Sequence, residues 1–147
     1  ELPLAVRDRT ASATDIPSPA PQQNSLQHRI VLLIENDDEL RNALTLTMEN
    51  WGLDVLPCQN GAAAQALLTD IDMAPDVIVA DYQLEDDKTG LDAVADITQA
   101  FGPIPACVIS ANRSVKLEMQ CTERGLPLLH KPIDTDHLQR FLSGSAP

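Results

Sequence analysis

Apolar and polar positions alternate between two periods along most of the chain. Residues 30–34, IVLLI, form an unbroken apolar run, as expected of a strand covered on both faces. Leu40, Ala43, Leu44, Met48 and Trp51 then recur at helical spacing, and Gly52 stops that helix. A short strand is predicted at Leu53–Leu56. Asn60 caps a helix whose apolar face is Ala64, Leu67, Leu68 and Ile71. VIVA, 77–80, reads as the next buried strand and ends at Asp81; after the loop YQLEDDKTG, Leu91, Val94, Ile97 and Phe101 line a helix. Strands are predicted at Ala106–Ile109 and Leu126–Leu129, a weakly amphipathic helix over 112–124, and a last short helix carrying Leu138, Phe141 and Leu142.

Five strands alternating with helices imply an α/β domain, a doubly wound parallel sheet with helices on both faces. The expected order is 2-1-3-4-5, the flavodoxin-like arrangement. Strands 1 and 3 are then neighbours, and ligands of such sheets bind at their carboxyl ends. Glu35 and Asn36 follow strand 1, Asp81 ends strand 3, Ser110 follows strand 4, and Lys131 follows strand 5. Converging carboxylates repel one another unless a cation or proton intervenes. Oxygen ligands completed by water suit Mg²⁺, and a lysine and a hydroxyl on the same rim complete a pocket for a phosphoryl group.

Composition narrows the function classes. The 147 residues suit one domain and a tail, and the 3% aromatic content makes the core aliphatic. Residues 11–27, rich in Ser, Pro, Ala and Gln, read as a flexible linker. Residues 1–27 hold three acids and two bases, so the remaining 120 residues keep a net charge of −11. That acidity argues against nucleic acid and anionic membrane as partners. No apolar run approaches the ~20 residues of a membrane span. Cys58, Cys107 and Cys121 are widely spaced without a C-x-x-C, which predicts free thiols of a reducing, cytoplasmic protein rather than a zinc site. The chain starts at Glu and reads as an excised fragment.

LLIEND, VIVADYQL, VISA and LLHKP, each at the end of a predicted strand, together resemble the receiver domains of two-component response regulators. The resemblance covers residues 29 to about 143, within a domain expected at 28–147. It implies that Asp81 accepts a phosphoryl group from a phosphohistidine, that Lys131 contacts that phosphoryl or the acceptor carboxylate, and that Ser110 hydrogen-bonds a phosphoryl oxygen. It implies Mg²⁺ held by Glu35, Asn36, Asp81 and the backbone carbonyl of Gln83, and a cis Lys131–Pro132 bond. Three positions depart from the family. Glu35 and Asn36 stand where two aspartates are usual, so the pocket is expected to be altered rather than inactive: Asn36 brings no charge, while Glu35 is one methylene longer. Leu128 stands where an aromatic switch residue is often found. ELPLA, 1–5, resembles the final strand of a histidine kinase ATP-binding domain, which implies that the receiver is the C-terminal part of a hybrid sensor histidine kinase. The implied partners are the phosphohistidine domain of its own or a partner kinase and a histidine phosphotransfer protein.

Several residues read more plainly. Asp37 and Asp38 suit a helix cap and first turn, with no metal role. His28, His130 and His137 lack metal spacing and read as surface or packing residues. EDDK, 85–88, reads as a solvated loop and Trp51 as core. Two other functions compete. A haloacid-dehalogenase-type phosphohydrolase needs an acid two residues after the nucleophile, where Gln83 stands. A non-phosphorylated pseudo-receiver acting as a docking module is favoured by Asn36 and Leu128 and opposed by Asp81, Ser110 and Lys131. A nucleotide-binding loop is excluded, since no glycine fingerprint follows strand 1.

Overall fold

The computed structural model describes residues 28–84 and 88–143. The linker, residues 1–5 and residues 85–87 lie outside the described residues. Strands β1 (Ile30–Ile34), β2 (Asp54–Cys58), β3 (Val77–Asp81), β4 (Ala106–Ser110) and β5 (Leu128–His130) form one sheet in the order β2-β1-β3-β4-β5. Every pairing is parallel. Helices α1 (Asp38–Asn50), α2 (Gly61–Ile71), α3 (Gly90–Phe101) and α4 (Val115–Glu123) make the four crossovers, and α5 (Thr135–Leu142) follows the last strand. The expected fold and strand order are those observed.

Strand alternation divides the core between the two faces. Val31, Leu33, Val77, Val79, Cys107, Ile109 and Leu129 point to α1 and α5, where they meet Leu44, Met48, Leu138 and Leu142. Leu32, Ile34, Ile78 and Ala80 point the other way, to Ala64 and Leu68 of α2 and to Val94 and Ile97 of α3. Val108 and Leu128 join Leu91, Leu117, Cys121 and Tyr82 in a smaller cluster under α4. Trp51 packs half-buried against the α1/α5 side, and the three cysteines are free and buried.

Element ends differ from the periodic reading for identifiable reasons. β2 runs to Cys58 through Pro57, which a central strand would not tolerate; β2 is an edge strand, so a missing N–H costs nothing there. Leu126 belongs to the end of α4 rather than to β5. Gly125, at φ +69°, donates to Thr122 O, and Leu126 N donates to Cys121 O at 2.8 Å, the paired closure of a Schellman cap. α4 starts at Val115 instead of 112 because Ser114 caps it, accepting from Leu117 N at 3.2 Å. The preceding residues make a turn in which Asn112 Oδ1 accepts from Ser114 N. Asn60 caps α2 as expected, by accepting from Ala63 N.

Candidate phosphoryl-transfer site

The ladder of β1 continues one residue beyond the strand, with Glu35 N donating to Cys58 O at 2.9 Å. Glu35 is thereby drawn under the rim and is 1% exposed. Arg41, one turn into α1, donates from Nη1 to the Glu35 carbonyl at 2.8 Å and pairs with Asp38. Asp37 is the N-cap of α1, its Oδ1 accepting from Glu39 N and Leu40 N, and its own N–H donates to Glu35 Oε2 at 3.0 Å. The acidic run after β1 therefore divides: Glu35 turns inward, Asp37 and Asp38 serve the helix, and Asn36 lies exposed between them.

Asp81 is the buried last residue of β3. The backbone beyond it is held on two sides, Tyr82 N donating to Ile109 O and Gly90 N donating to Tyr82 O, both at 2.7 Å. An antiparallel bridge between Gln83 and Thr89 closes the base of the β3–α3 loop. Gly90 starts α3 so close to Asp81 that a Cβ on it would lie 2.3 Å from the Asp81 carbonyl oxygen. Only glycine fits there. Thr89 precedes it as N-cap of a reciprocal capping box with Asp92.

The remaining strands deliver the other groups. Ser110, 1% exposed, ends β4, and its Oγ accepts from Asn112 N at 2.9 Å. Lys131 N donates to Ser110 O at 2.9 Å, which fixes the start of the β5–α5 turn, and the Lys131–Pro132 bond is cis. From that anchor Lys131 Nζ reaches both acids, at 3.3 Å from Asp81 Oδ2 and 3.4 Å from Glu35 Oε1. Asp81, Glu35 and Lys131 thus meet at one point, with Ser110 on the same rim.

Burial pushes the Glu35 carboxyl above its usual range, and the nearby Asp81 charge adds to that; the Asp37 N–H and the Lys131 ammonium work against it. Glu35 Oε1 is buried without a hydrogen-bond donor, beside a second carboxylate and one ammonium. Such an oxygen, held only by the Lys131 ion pair, has the chemistry to take a hard cation. Glu35 and Asp81, with the exposed Asn36 and Gln83 next to them in the chain, supply oxygen donors of the chemistry that suits Mg²⁺. Among the described residues no three His, Cys, Asp or Glu side chains group as a metal centre.

The family model of the response regulator receiver domain matches residues 31–143. The chain belongs to this family. The receiver is 27% identical over 114 residues to the "Two-component response regulator-like PRR73" of Oryza sativa, covering 76% of this chain and 15% of that protein. It is 27% identical over 113 residues to the "Response regulator protein PilR" of Pseudomonas aeruginosa, covering 76% of this chain and 25% of that protein. The chain therefore spans a quarter or less of the length of these relatives. Among solved structures, a response regulator receiver domain protein from Clostridium thermocellum superposes with a TM-score of 0.71 at 15% identity, covering 80% of this chain and 93% of that one. That similarity is one of fold.

Three of the sequence-predicted groups, Asp81, Lys131 and Glu35, meet in the receiver, Ser110 ends the neighbouring strand on the same rim, and the other two, Asn36 and Gln83, are exposed beside them in the chain. Periodicity did not reveal Gly90, Asn112 or Arg41. A Thr-Gly pair before a helix signals a cap, but the need for glycine comes from the approach of Asp81, which no local pattern encodes.

Proposed function

We propose that this receiver accepts a phosphoryl group from a phosphohistidine onto Asp81 in a Mg²⁺-dependent relay. The observation that carries the reading is Lys131 Nζ set between Asp81 and Glu35, beside the buried Ser110 hydroxyl. A carboxylate at the end of a strand, with a mobile ammonium and a hydroxyl at hand, is equipped to become an acyl phosphate. An Asp81 oxygen forms the new bond to phosphorus as the phosphorus–nitrogen bond of the donor breaks, and the imidazole leaves with that electron pair. Lys131 follows the negative charge from the carboxylate pair to a phosphoryl oxygen, and Ser110 donates its hydroxyl proton to another. Water returns Asp81 by hydrolysis, with inorganic phosphate released. Bound by Glu35, Asn36, Asp81 and the Gln83 carbonyl, Mg²⁺ would neutralise charge on the transferring group.

The domain so understood performs only its own phosphoryl transfer and dephosphorylation. The donor fits a kinase region of the same chain, a reading supported by ELPLA and the Pro/Ser-rich stretch after it, which together suit the junction of a hybrid sensor histidine kinase. Incubation with acetyl phosphate and Mg²⁺ should add one phosphoryl group by intact mass, and Asp81→Asn should add none. Undiminished labelling of that variant would overturn the assignment. The pseudo-receiver reading is favoured by Asn36, which leaves a two-acid pocket with Lys131 paired to both acids, and by Leu128. It predicts no mass increase in the parent protein.

A further inference from the structure

His130 adjoins the site but has no part in the chemistry above. The β4–β5 register pairs Ser110 with His130, as it pairs Val108 with Leu128 two residues earlier. Paired residues of parallel strands project from the same face of a sheet, and Val108 and Leu128 lie in one cluster under α4. Leu129 points to the opposite face. Ser110 and His130 therefore stand side by side, at the carboxyl end of the sheet, on the α4 face. They are also tied through the backbone, since Lys131 N donates to Ser110 O.

Each member of this pair has unused hydrogen-bonding capacity. Ser110 Oγ accepts from Asn112 N, and among the described residues its own proton meets no acceptor. His130 Nε2 is buried and has no hydrogen-bond partner among the described residues. A buried polar atom left unpaired costs free energy, and in a native protein it calls for an explanation. Leu128, one layer deeper on the same face, offers no polar group. The ring nitrogen of His130 is thus the polar side-chain atom on this face of β5 that can respond when Ser110 moves.

We propose that His130 is the positioning partner of Ser110 in the phosphorylated state, an inference that rests on the phosphoryl-transfer reading. When Ser110 turns its proton to a phosphoryl oxygen on Asp81, its Oγ is drawn toward the site and takes a hydrogen bond from the His130 ring N–H. The unpaired nitrogen of the resting domain is satisfied only after modification. That difference between the two states favours the phosphorylated one.

The test uses the whole 147-residue chain, with Mg²⁺ and beryllofluoride as the phosphoryl mimic, followed through the ¹⁵N signals of the His130 ring. The mimic should shift those signals and slow exchange of the ring N–H. In Ser110→Ala, held at a mimic concentration at which the ¹⁹F signal shows Asp81 fully occupied, the ring should not respond. His130→Leu should weaken binding of the mimic about fivefold, the worth of one ordinary hydrogen bond, and His130→Gln, which keeps an N–H donor, should largely restore it. If the mimic binds but the ring is silent, or responds equally in Ser110→Ala, the role of His130 is refuted while phosphoryl transfer stands. If neither acetyl phosphate nor the mimic modifies Asp81, both readings fall together.

Discussion

Replacing Gly90 with alanine tests the link between the fold and the acceptor. The added Cβ would lie 2.3 Å from the Asp81 carbonyl oxygen and 2.9 Å from its carbon, where ordinary contact begins at 3.4 Å. The opposing atoms are backbone on both sides, so no rotamer change relieves the clash; α3 and the end of β3 must part by about 1 Å. Overpacking on that scale costs about 1–3 kcal/mol, and removing a helical glycine recovers up to ~1 kcal/mol. The net loss should be about 1–2 kcal/mol. With an m-value near ~1.5 kcal/mol/M, the urea midpoint should fall by about 1 M. The same displacement moves Asp81 relative to Lys131, so acyl phosphate formation from acetyl phosphate should fall more than stability alone explains. Folded Gly90→Ala protein with an unchanged midpoint and full labelling would show that α3 gives way without disturbing the acceptor.

Three further outcomes follow from the site and its surroundings. Glu35 has a raised carboxyl pKa because it is buried, so the folded state holds its proton more tightly than the unfolded chain does. Its contribution to stability is complete below the unfolded pKa and is lost as pH rises through the folded one; in a chelator, Glu35→Gln should raise the urea midpoint at pH 7 and do so less at pH 4.5, and a pH-independent difference would refute the cause. Asn36→Asp should restore a third charge to the cation site and tighten Mg²⁺ binding by roughly 1–2 kcal/mol, about tenfold or somewhat more, as measured by calorimetry or Trp51 fluorescence; no gain would mean that residue 36 does not face the metal. Burial pushes the Cys58 thiol up to about 11, the Arg41 charge opposing it, and Cys107 and Cys121 are raised too. A disulfide reagent at pH 8 should therefore find roughly one Cys58 thiolate in a thousand and label the thiols quickly only in urea.

The sheet was legible because its strands are buried on both faces and so read as unbroken apolar runs. IVLLI, 30–34, and VIVA, 77–80, needed no context. Boundaries were lost where tertiary position overrides local pattern: Pro57 fits a strand because β2 is at the edge, and Leu126 leaves β5 because it closes the cap of α4. Asp81, Lys131, Ser110 and Glu35 were found from strand ends, since parallel topology gathers all carboxyl ends on one rim. Gly90 and the His130 nitrogen were not, because each owes its meaning to an atom distant in sequence. His130 read as a packing residue until its register beside Ser110 placed it.

The Gln83–Thr89 bridge and the Gly90–Tyr82 hydrogen bond cinch the stretch after the acceptor like the neck of a bag. The two flanks of the segment, Gln83 and Thr89, are thus fixed to each other two and eight residues after Asp81. Lengthening residues 84–88 would add little but closure entropy, about 0.6 kcal/mol for each doubling, with the ends already joined. A change of length between Gln83 and Thr89 should therefore leave the acceptor in place, and acetyl phosphate should label such a variant as fully as the parent protein.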